Sequence, residues 1–457
     1  MPVAWQNWSG SVRATPVEIV HPATQDEMIA VVNDCRARGR KLRVVGTGHS
    51  FTPLVQTDGV LMVLDRYTGI VSVDAERGRA TVRAGTPIQA LGEALFGHRL
   101  AQPNLGDIDV QTIAGAISTG THGSGATLGS LSTQVAGLTL ITAAGEVLEC
   151  SEETNRAIFK AAQVSLGALG IISTVTLQLV PAFTLHYVWR KESLREALAG
   201  IDRYVAGNRN FEFFWMPYTD AVLAKFMNPT GAPPRRKSLV RRFNDSVLEN
   251  GVFWLMSEYA RRFPAQAPAV SRVAGALMSG GTDINHSHRI FATPRLVKFQ
   301  EMEYSIPAAE FVSVIEEIDA TIRRRRFQVH FPIECRFVRG DDIPLSPAYG
   351  RDSAYIAVHM YRGMAYRPYF AAMEAIFKRH AGRPHWGKLH SRSAQDLPAL
   401  YPQWDAFQTV RRALDPDGFF LNRHLAALFA ESAPAGAPEA SPAANMAPVP
   451  DLSKRPL

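Results

Sequence analysis

Four short runs hold residue types able to do redox chemistry on a small ligand. In Val44-Val45-Gly46-Thr47-Gly48-His49-Ser50-Phe51, an apolar strand from Lys41 to Val45 enters a tight turn with one imidazole in it. Glycines there let backbone N–H groups approach an anion that a Cβ would block. A second run, Ser118-Thr119-Gly120-Thr121-His122-Gly123-Ser124-Gly125, follows later. Two such runs suggest a cradle for a pyrophosphate and an attached ring system. Turn chemistry alone leaves two readings of His49: a cofactor contact, or a histidine bonded to its own turn.

The third run is a strand, Gln328 to Val338. Its alternation puts Val329, Phe331, Ile333, Cys335 and Phe337 on one face and His330, Glu334 and Arg336 on the other. A nearby strand, Ser353 to Tyr361, places Tyr355, His359 and Tyr361 together. Mixed charge and aromatics on two strands read as a site wall, against a surface Glu–Arg pair without function. The fourth run is Arg383-Pro384-His385-Trp386-Gly387-Lys388-Leu389-His390. Gly387 lets the backbone pass close to a flat ligand, and Lys388 supplies a fixed cation; a surface turn with one buried tryptophan fits the same residues.

Other chemistries are disfavoured. The first turn lacks the third glycine and the helix of a dinucleotide fingerprint, so Asp65 carries little weight as a ribose ligand. No Gly-Lys-Ser/Thr follows it, and the chain has no G-x-S-x-G elbow. His385 and His390 lack a third zinc ligand at a useful spacing, so no metal site is expected.

The elements that must carry these runs are legible. Val17 to Val20 reads as a strand; Thr24 and Glu27 form a capping box ahead of Met28, Val31, Val32 and Cys35 at helical spacing, closed by Gly39. Strands follow at Val60–Leu64, Ile70–Val73 and Ala80–Arg83. Thr86-Pro87-Ile88-Gln89 starts a helix with Thr86 as cap and Ile88, Leu91 and Leu95 as its stripe. Thr142 to Glu146 joins a hairpin, and Pro181 ends the strand Ser173–Leu179. Phe311, Val314, Ile315, Ile318 and Ile322 mark a longer helix ending in Arg323 to Arg326. Pro229 to Phe243 reads as a mobile basic loop, and Glu431 to Leu457, rich in Ala and Pro, as disordered.

The chain has 457 residues, 46% hydrophobic and 20% charged, with a net charge of +7. That suffices for two domains and a large core. The mild basic excess, without a stripe of arginines and aromatics, gives no support for nucleic acid as a partner. Cys35, Cys150 and Cys335 form no framework, which points to a reducing compartment; a cytoplasmic location is expected. No signal peptide is visible, and no run is long and apolar enough to span a bilayer.

Seven pieces in order, VVGTGHSF, NLGDIDVQTIAGAISTGTHGSG, SLGALGIIS, FPIECRF, LSPAYGRDSAY, GRPHWGKLH and LDPDGFFLN, resemble the vanillyl-alcohol-oxidase-type flavoproteins, and within them the sugar-1,4-lactone oxidases. The resemblance runs from about Trp5 to about Phe429. It implies an α+β fold with a two-lobed FAD-binding domain of PCMH type over about residues 1–180. A cap domain with a large antiparallel sheet flanked by helices would take residues 181–383, and a segment returning to the flavin residues 384–430. It implies FAD bound through Val45, Gly46, Thr47, Gly48, Ser50 and Phe51, with His49 bonded covalently to the flavin 8α-methyl. Gly106, Asp107, Thr112, Gly115, Thr119, Gly120, His122 and Gly123 match pyrophosphate and flavin contacts. Ile171, Ile172, Lys388 and Asn422 match further cofactor positions.

The implied reaction is oxidation of an L-gulono-1,4-lactone-like sugar at its C2 hydroxyl. Glu334 would position substrate, Arg336 and Lys388 would stabilise reduced flavin, and His359 and Tyr361 would line the sugar pocket. A small residue at Gly106 favours O2 as acceptor and an oxidase. The alternatives are an alditol oxidase acting on a polyol, or a dehydrogenase that reduces a cytochrome or quinone.

Overall fold

The computed structural model describes residues 4–235, 249–292 and 297–430. The predicted basic loop therefore lies partly, and the predicted tail wholly, outside the described residues.

A small parallel sheet opens the chain: β1 (Glu18–Val20) and β2 (Leu42–Val45) flank β3 (Val60–Val63). Between β1 and β2 runs α1 (Gln25–Ala37), capped by Thr24, whose hydroxyl accepts from the Glu27 N–H; it buries Met28, Val32 and Cys35 against the sheet. A five-stranded antiparallel sheet follows, from β4 (Ile70–Asp74), β5 (Arg79–Arg83), β6 (Val135–Ile141), β7 (Val147–Ser151) and β8 (Ile171–Gln178), in the order β7-β6-β8-β5-β4. Leu177, Val175, Leu138 and Val82 join its apolar layer to that of the first sheet. The helices α2 (Ile88–Gly97) and α3 (Ile113–Ser118) sit between β5 and β6 in sequence. One local reading needs correction. Pro87, not Thr86, is the cap of α2, because the Thr86 hydroxyl is tied to Arg83 O and Gly69 N in the preceding turn. The strand ahead of Pro181 stops at Gln178, and Val180–Pro181 then pairs separately with Leu100–Ala101.

The rest is built on one eight-stranded sheet. Its parts are β9 (Thr184–Ser193), β10 (Asn210–Trp215), β11 (Ala221–Pro229), the helices α4 (Glu249–Arg262) and α5 (Ala267–Leu277), β12 (Gly281–His286), β13 (Phe299–Pro307), α6 (Phe311–Arg325), β14 (Ile333–Val338), β15 (Ser353–Tyr361) and β16 (Arg383–Pro384). The order is β12-β9-β11-β10-β14-β15-β13-β16. One face is apolar and buries Phe213, Cys335, Ile356 and Tyr304 in the same core as Phe311, Val314, Ile315, Ile318 and Ile322 of α6. The other face is polar and looks towards the glycine runs.

The two halves are stitched together. Ser124 donates through its hydroxyl to Phe211 O and accepts from Phe337 N–H, while Gly125 N–H donates to Phe337 O at 2.6 Å. The last segment returns to the first sheet. Buried Arg43 on β2 donates to Phe420 O and to Leu166 O and Gly167 O. Asn422 caps a final helix, α7 (Arg423–Leu428), and its amide reaches Pro53 O, Leu54 O and Gln56 O at 2.8–3.1 Å. This amide is thus spent on backbone, where a cofactor contact was expected. Replacing Asn422 by alanine should cost about 2–4 kcal/mol in urea unfolding, from the lost cap and the unpaired carbonyls. Flavin content at saturating FAD should stay normal; a loss of flavin without a loss of stability would return Asn422 to the cofactor.

Candidate functional site

The first glycine turn leaves β2 and presses on the start of α3. A Cβ on Gly46 would lie 2.4 Å from Thr112 Oγ1, so only glycine fits. Thr112 in turn accepts from Gly115 N–H and caps α3. Around them runs a groove of about 920 Å³ including its open mouth, within the range of ligand clefts. Val45, Gly46, Thr47, Gly48, His49, Ser50, Thr112, Gly115, Thr119, Ile171 and Ile172 all line it. It combines apolar walls (Leu54, Leu64, Ala84) with glycine backbone, which suits a heterocycle joined to phosphates. Gly123 stands behind: a Cβ there would meet Leu105 O at 2.1 Å. Gly120 and Gly123, expected as cofactor contacts, are not among the residues that line the groove.

A second cavity continues from the first, sharing His49, Ser50, Gln111 and Thr119. Its walls include Phe51, Gly106, Asp107, His122, Glu303, Arg336, His385 and Lys388. His49 thus stands where the two cavities join. Its ring stacks on Trp8 at 5.6 Å and its Nδ1 lies 3.1 Å from Thr47 Oγ1. Burial and the Lys388 cation push its pKa down to about 4, against a smaller opposing effect of Thr47. The ring is therefore neutral at pH 7 and keeps a nucleophilic lone pair.

The far wall is the polar face of the large sheet. Register aligns Lys225 with Glu212, Glu212 with Arg336, Arg336 with Tyr355, and His359 with Glu301. Arg336 is held by Glu334, by Glu212 at 3.0 Å and by Asp107 at 3.1 Å, the last from the glycine-run half. Burial alone would lower its pKa, but these carboxylates hold it well above the usual value. Lys388 donates to Glu301 at 2.5 Å, and His359 faces the same carboxylate at 3.5 Å. Burial would raise the Glu301 pKa; Lys388 and His359 instead hold it down at about 2. Burial likewise would lower the Lys388 pKa, and Glu301 and Glu303 keep it raised.

Backbone bonds fix Lys388 in place. Phe51 N–H donates to Gly387 O at 2.7 Å, Thr52 Oγ1 to Trp386 O at 2.8 Å, and Leu389 N–H to Glu301 O at 2.9 Å. Trp386 is buried, with its indole N–H on Leu345 O, so it braces this run from behind.

Several expected residues stand apart from the cavities. Glu334 touches the second cavity only through Arg336. His359 lies one residue behind, on Glu301, with Nδ1 on Pro332 O at 2.9 Å. Tyr361 bonds Glu258 and packs on Phe331, so it does not line the pocket. His330 leaves the wall altogether. Pro332 interrupts the strand, β14 starts at Ile333, and the His330 ring is buried on Ser257 at 3.0 Å. Sequence reading missed Trp5, Trp8, Gln111, Glu212, Glu301 and Glu303. The alternation Phe299, Glu301, Glu303, Ser305 on one strand face was the available signal for the last two.

His385 meets His122 and Glu303 rather than His390, with donor atoms of the three within 4.8 Å of one another. Gly387 N–H donates to His385 Nδ1 at 3.1 Å, and burial pushes the His385 pKa down to about 3. The Gly387 N–H thus occupies Nδ1 of the neutral ring, and the Glu303 carboxylate is met by His122 Nε2 at 3.2 Å.

Comparison with known proteins agrees with this layout. Residues 175–428 match the D-arabinono-1,4-lactone oxidase family, and residues 16–151 match the FAD binding domain family. The chain is 44% identical to an L-gulono-1,4-lactone dehydrogenase of Mycobacterium tuberculosis, over 92% of this chain and 97% of that one. It is 35% identical to the L-gulonolactone oxidase of Bos taurus, over 93% and 98%. The fold superposes on cholesterol oxidase of Brevibacterium sterolicum with a TM-score of 0.80 at 20% identity, covering 94% and 97%.

The Lys388–Glu301 pair is testable. Glu301→Gln removes the nearest counter-charge, so the Lys388 pKa falls. The alkaline limb of the kcat profile should move to lower pH, with kcat down about tenfold or more at neutral pH. An unmoved limb would mean that Lys388 is not the working cation.

Proposed function

The chain belongs to the family of FAD-dependent sugar-lactone oxidoreductases, and from that premise we propose that it oxidises the C2 hydroxyl of an L-gulono-1,4-lactone-like sugar. The observation that carries this reading is one continuous groove with His49 at its waist and Arg336, Glu303 and Lys388 on the wall beyond. FAD, when bound, supplies a two-electron acceptor for the hydride leaving C2. The glycine turns and Thr112 would hold its phosphates, and neutral His49 would form the covalent tether.

The protein's own part is binding, orientation and charge. Arg336, fixed by three carboxylates, presents a guanidinium that needs no reorganisation during the reaction. Lys388 adds a second fixed cation near the same cavity. Glu334, ion-paired with Arg336 behind the cavity wall, would hold the guanidinium that meets the substrate hydroxyls. Phe51, Trp8 and Phe299 make the apolar side of the pocket and exclude water from the C–H being broken. The product is a 2-keto lactone, whose enediol form is ascorbate-like.

O2 is the acceptor in the leading form of this proposal, with H2O2 as coproduct, because Gly106 leaves the cavity open beside His122. A dehydrogenase is the second reading, favoured by the higher identity to the relative named a dehydrogenase. A Cβ at Gly106 would sit 3.2 Å from His122 O, crowding this corner. Gly106→Ala should therefore slow reoxidation by O2 in stopped flow, without slowing anaerobic reduction. If wild-type reduced enzyme ignores O2, the dehydrogenase reading stands.

Two further tests follow from the site. His49→Ala should release its FAD on acid precipitation, whereas wild-type protein stays yellow after denaturation; flavin still attached in the variant would refute this tether. Anaerobic bleaching against a panel of sugar lactones and alditols should show fast reduction by lactones. Faster bleaching by alditols would replace the substrate assignment with a polyol.

A further inference from the structure

Residues 5–14 form a strap over the turn that carries His49. Two short strands, Trp5–Gln6 and Arg13–Ala14, pair antiparallel, and buried Asn7 ties the strap to itself. The Asn7 N–H donates to Val12 O at 3.0 Å, its Oδ1 accepts from Val12 N–H at 3.0 Å, and its amide donates to Ser9 Oγ at 3.0 Å. The strap then grips the turn on both sides of one residue. Trp8 N–H donates to Gly48 O at 2.8 Å, and the Asn7 amide donates to Ser50 O at 2.9 Å. Trp5 packs over Gly48, where a Cβ would meet its ring at 3.1 Å. His49 stands between these anchors.

The grip extends to the His49 ring itself. The Trp8 indole lies on it with 5.6 Å between centroids and 19° between planes. Thr47 Oγ1 meets its edge, 3.1 Å from Nδ1. The indole is in turn fixed by two edge-on rings, Phe299 at 5.5 Å and Phe51 at 6.4 Å. The imidazole is thus confined on one face by Trp8 and at one edge by Thr47. Burial keeps it neutral, with the Lys388 cation acting in the same direction. Trp8 lines the second cavity and not the groove around Gly46 and Thr112, so loss of the indole leaves the walls of that groove in place.

Resting on the reading of His49 as the covalent tether, we propose that the strap holds the imidazole in the orientation from which it is joined to the flavin, and that Trp8 is the positioning residue for that step. Attachment joins an imidazole nitrogen to the 8α-carbon. One N–C bond forms, while a methyl C–H and the imidazole N–H break. The two electrons and two protons set free pass to the isoalloxazine, from which O2 removes them as H2O2. The strap's part is orientation, and a misplacement of about 1 Å can cost on the order of a hundredfold in rate.

The test uses the full chain produced in riboflavin-starved cells and then mixed with FAD in air. Bound FAD is read from absorbance after gel filtration, and attached FAD from the yellow colour that survives acid precipitation. Wild type should convert bound FAD to attached FAD. Trp8→Ala should still bind FAD but attach it about tenfold or more slowly. Trp8→Phe, which keeps a flat face on the ring, should attach it at close to the wild-type rate. If Trp8→Ala does not fold or holds no FAD, Trp8→Leu, which fills space without a flat face, carries the same test. Attachment at the wild-type rate by the variant without a flat face overturns the proposal and leaves the tether standing. So does a loss in Trp8→Phe equal to that in Trp8→Ala, which would assign the defect to lost volume. Wild type that releases all its FAD in acid overturns the tether itself, and this proposal with it.

Discussion

The contact on which the site depends is Arg336 with Asp107. It joins a strand of the large sheet to the glycine-run half, and both partners are largely buried. A buried guanidinium is tolerable only if it is paired, and Glu212 and Glu334 join Asp107 around it. Losing one partner of such a cluster costs on the order of 3–5 kcal/mol, because a charge is left stranded. The same arrangement explains why the polar sheet face is not a solvent face. Asp107, Glu212, Glu301, Glu303 and Glu334 meet Lys225, Arg336 and Lys388, with His122 and His359 supplying further donors. These pairings between buried groups hold the wall together.

The cofactor side obeys a different constraint, that of space. Gly46 and Gly123 are required by the backbone or side chain pressed against them. Their neighbours Thr112 and Asn104 are themselves hydrogen-bonded, so the cradle cannot relax to admit a Cβ. Main-chain pairing of Phe51 with Gly387 holds Lys388 on the cavity that adjoins this groove. Burial first, and this nearby cation second, keep the His49 imidazole neutral.

Much of this was legible in the sequence, and the failures have physical causes. The helix α6 buries the same five apolar residues that its spacing indicated, because a 3.6-residue period leaves no other face for the core. The parity of Glu334 and Arg336 was right within β14. It failed at His330, since proline at position 332 has no N–H for the ladder and the chain bends away. Glu301 and Glu303 were missed for another reason. A strand with two acids reads as solvent-facing until the register with His359 and the approach of Lys388 and His122 are known, and those are long-range facts. Asn422 lies within a matching motif, and the bonds of its amide to the loop at Pro53 were not legible from that motif.

The seam formed by Ser124 and Gly125 has a consequence for what the enzyme can meet. Because that loop is hydrogen-bonded into Phe211 and Phe337, the two halves cannot swing apart like jaws around an incoming molecule. Access to the groove must then come from loops and side chains at its own mouth, while the halves stay joined along this seam.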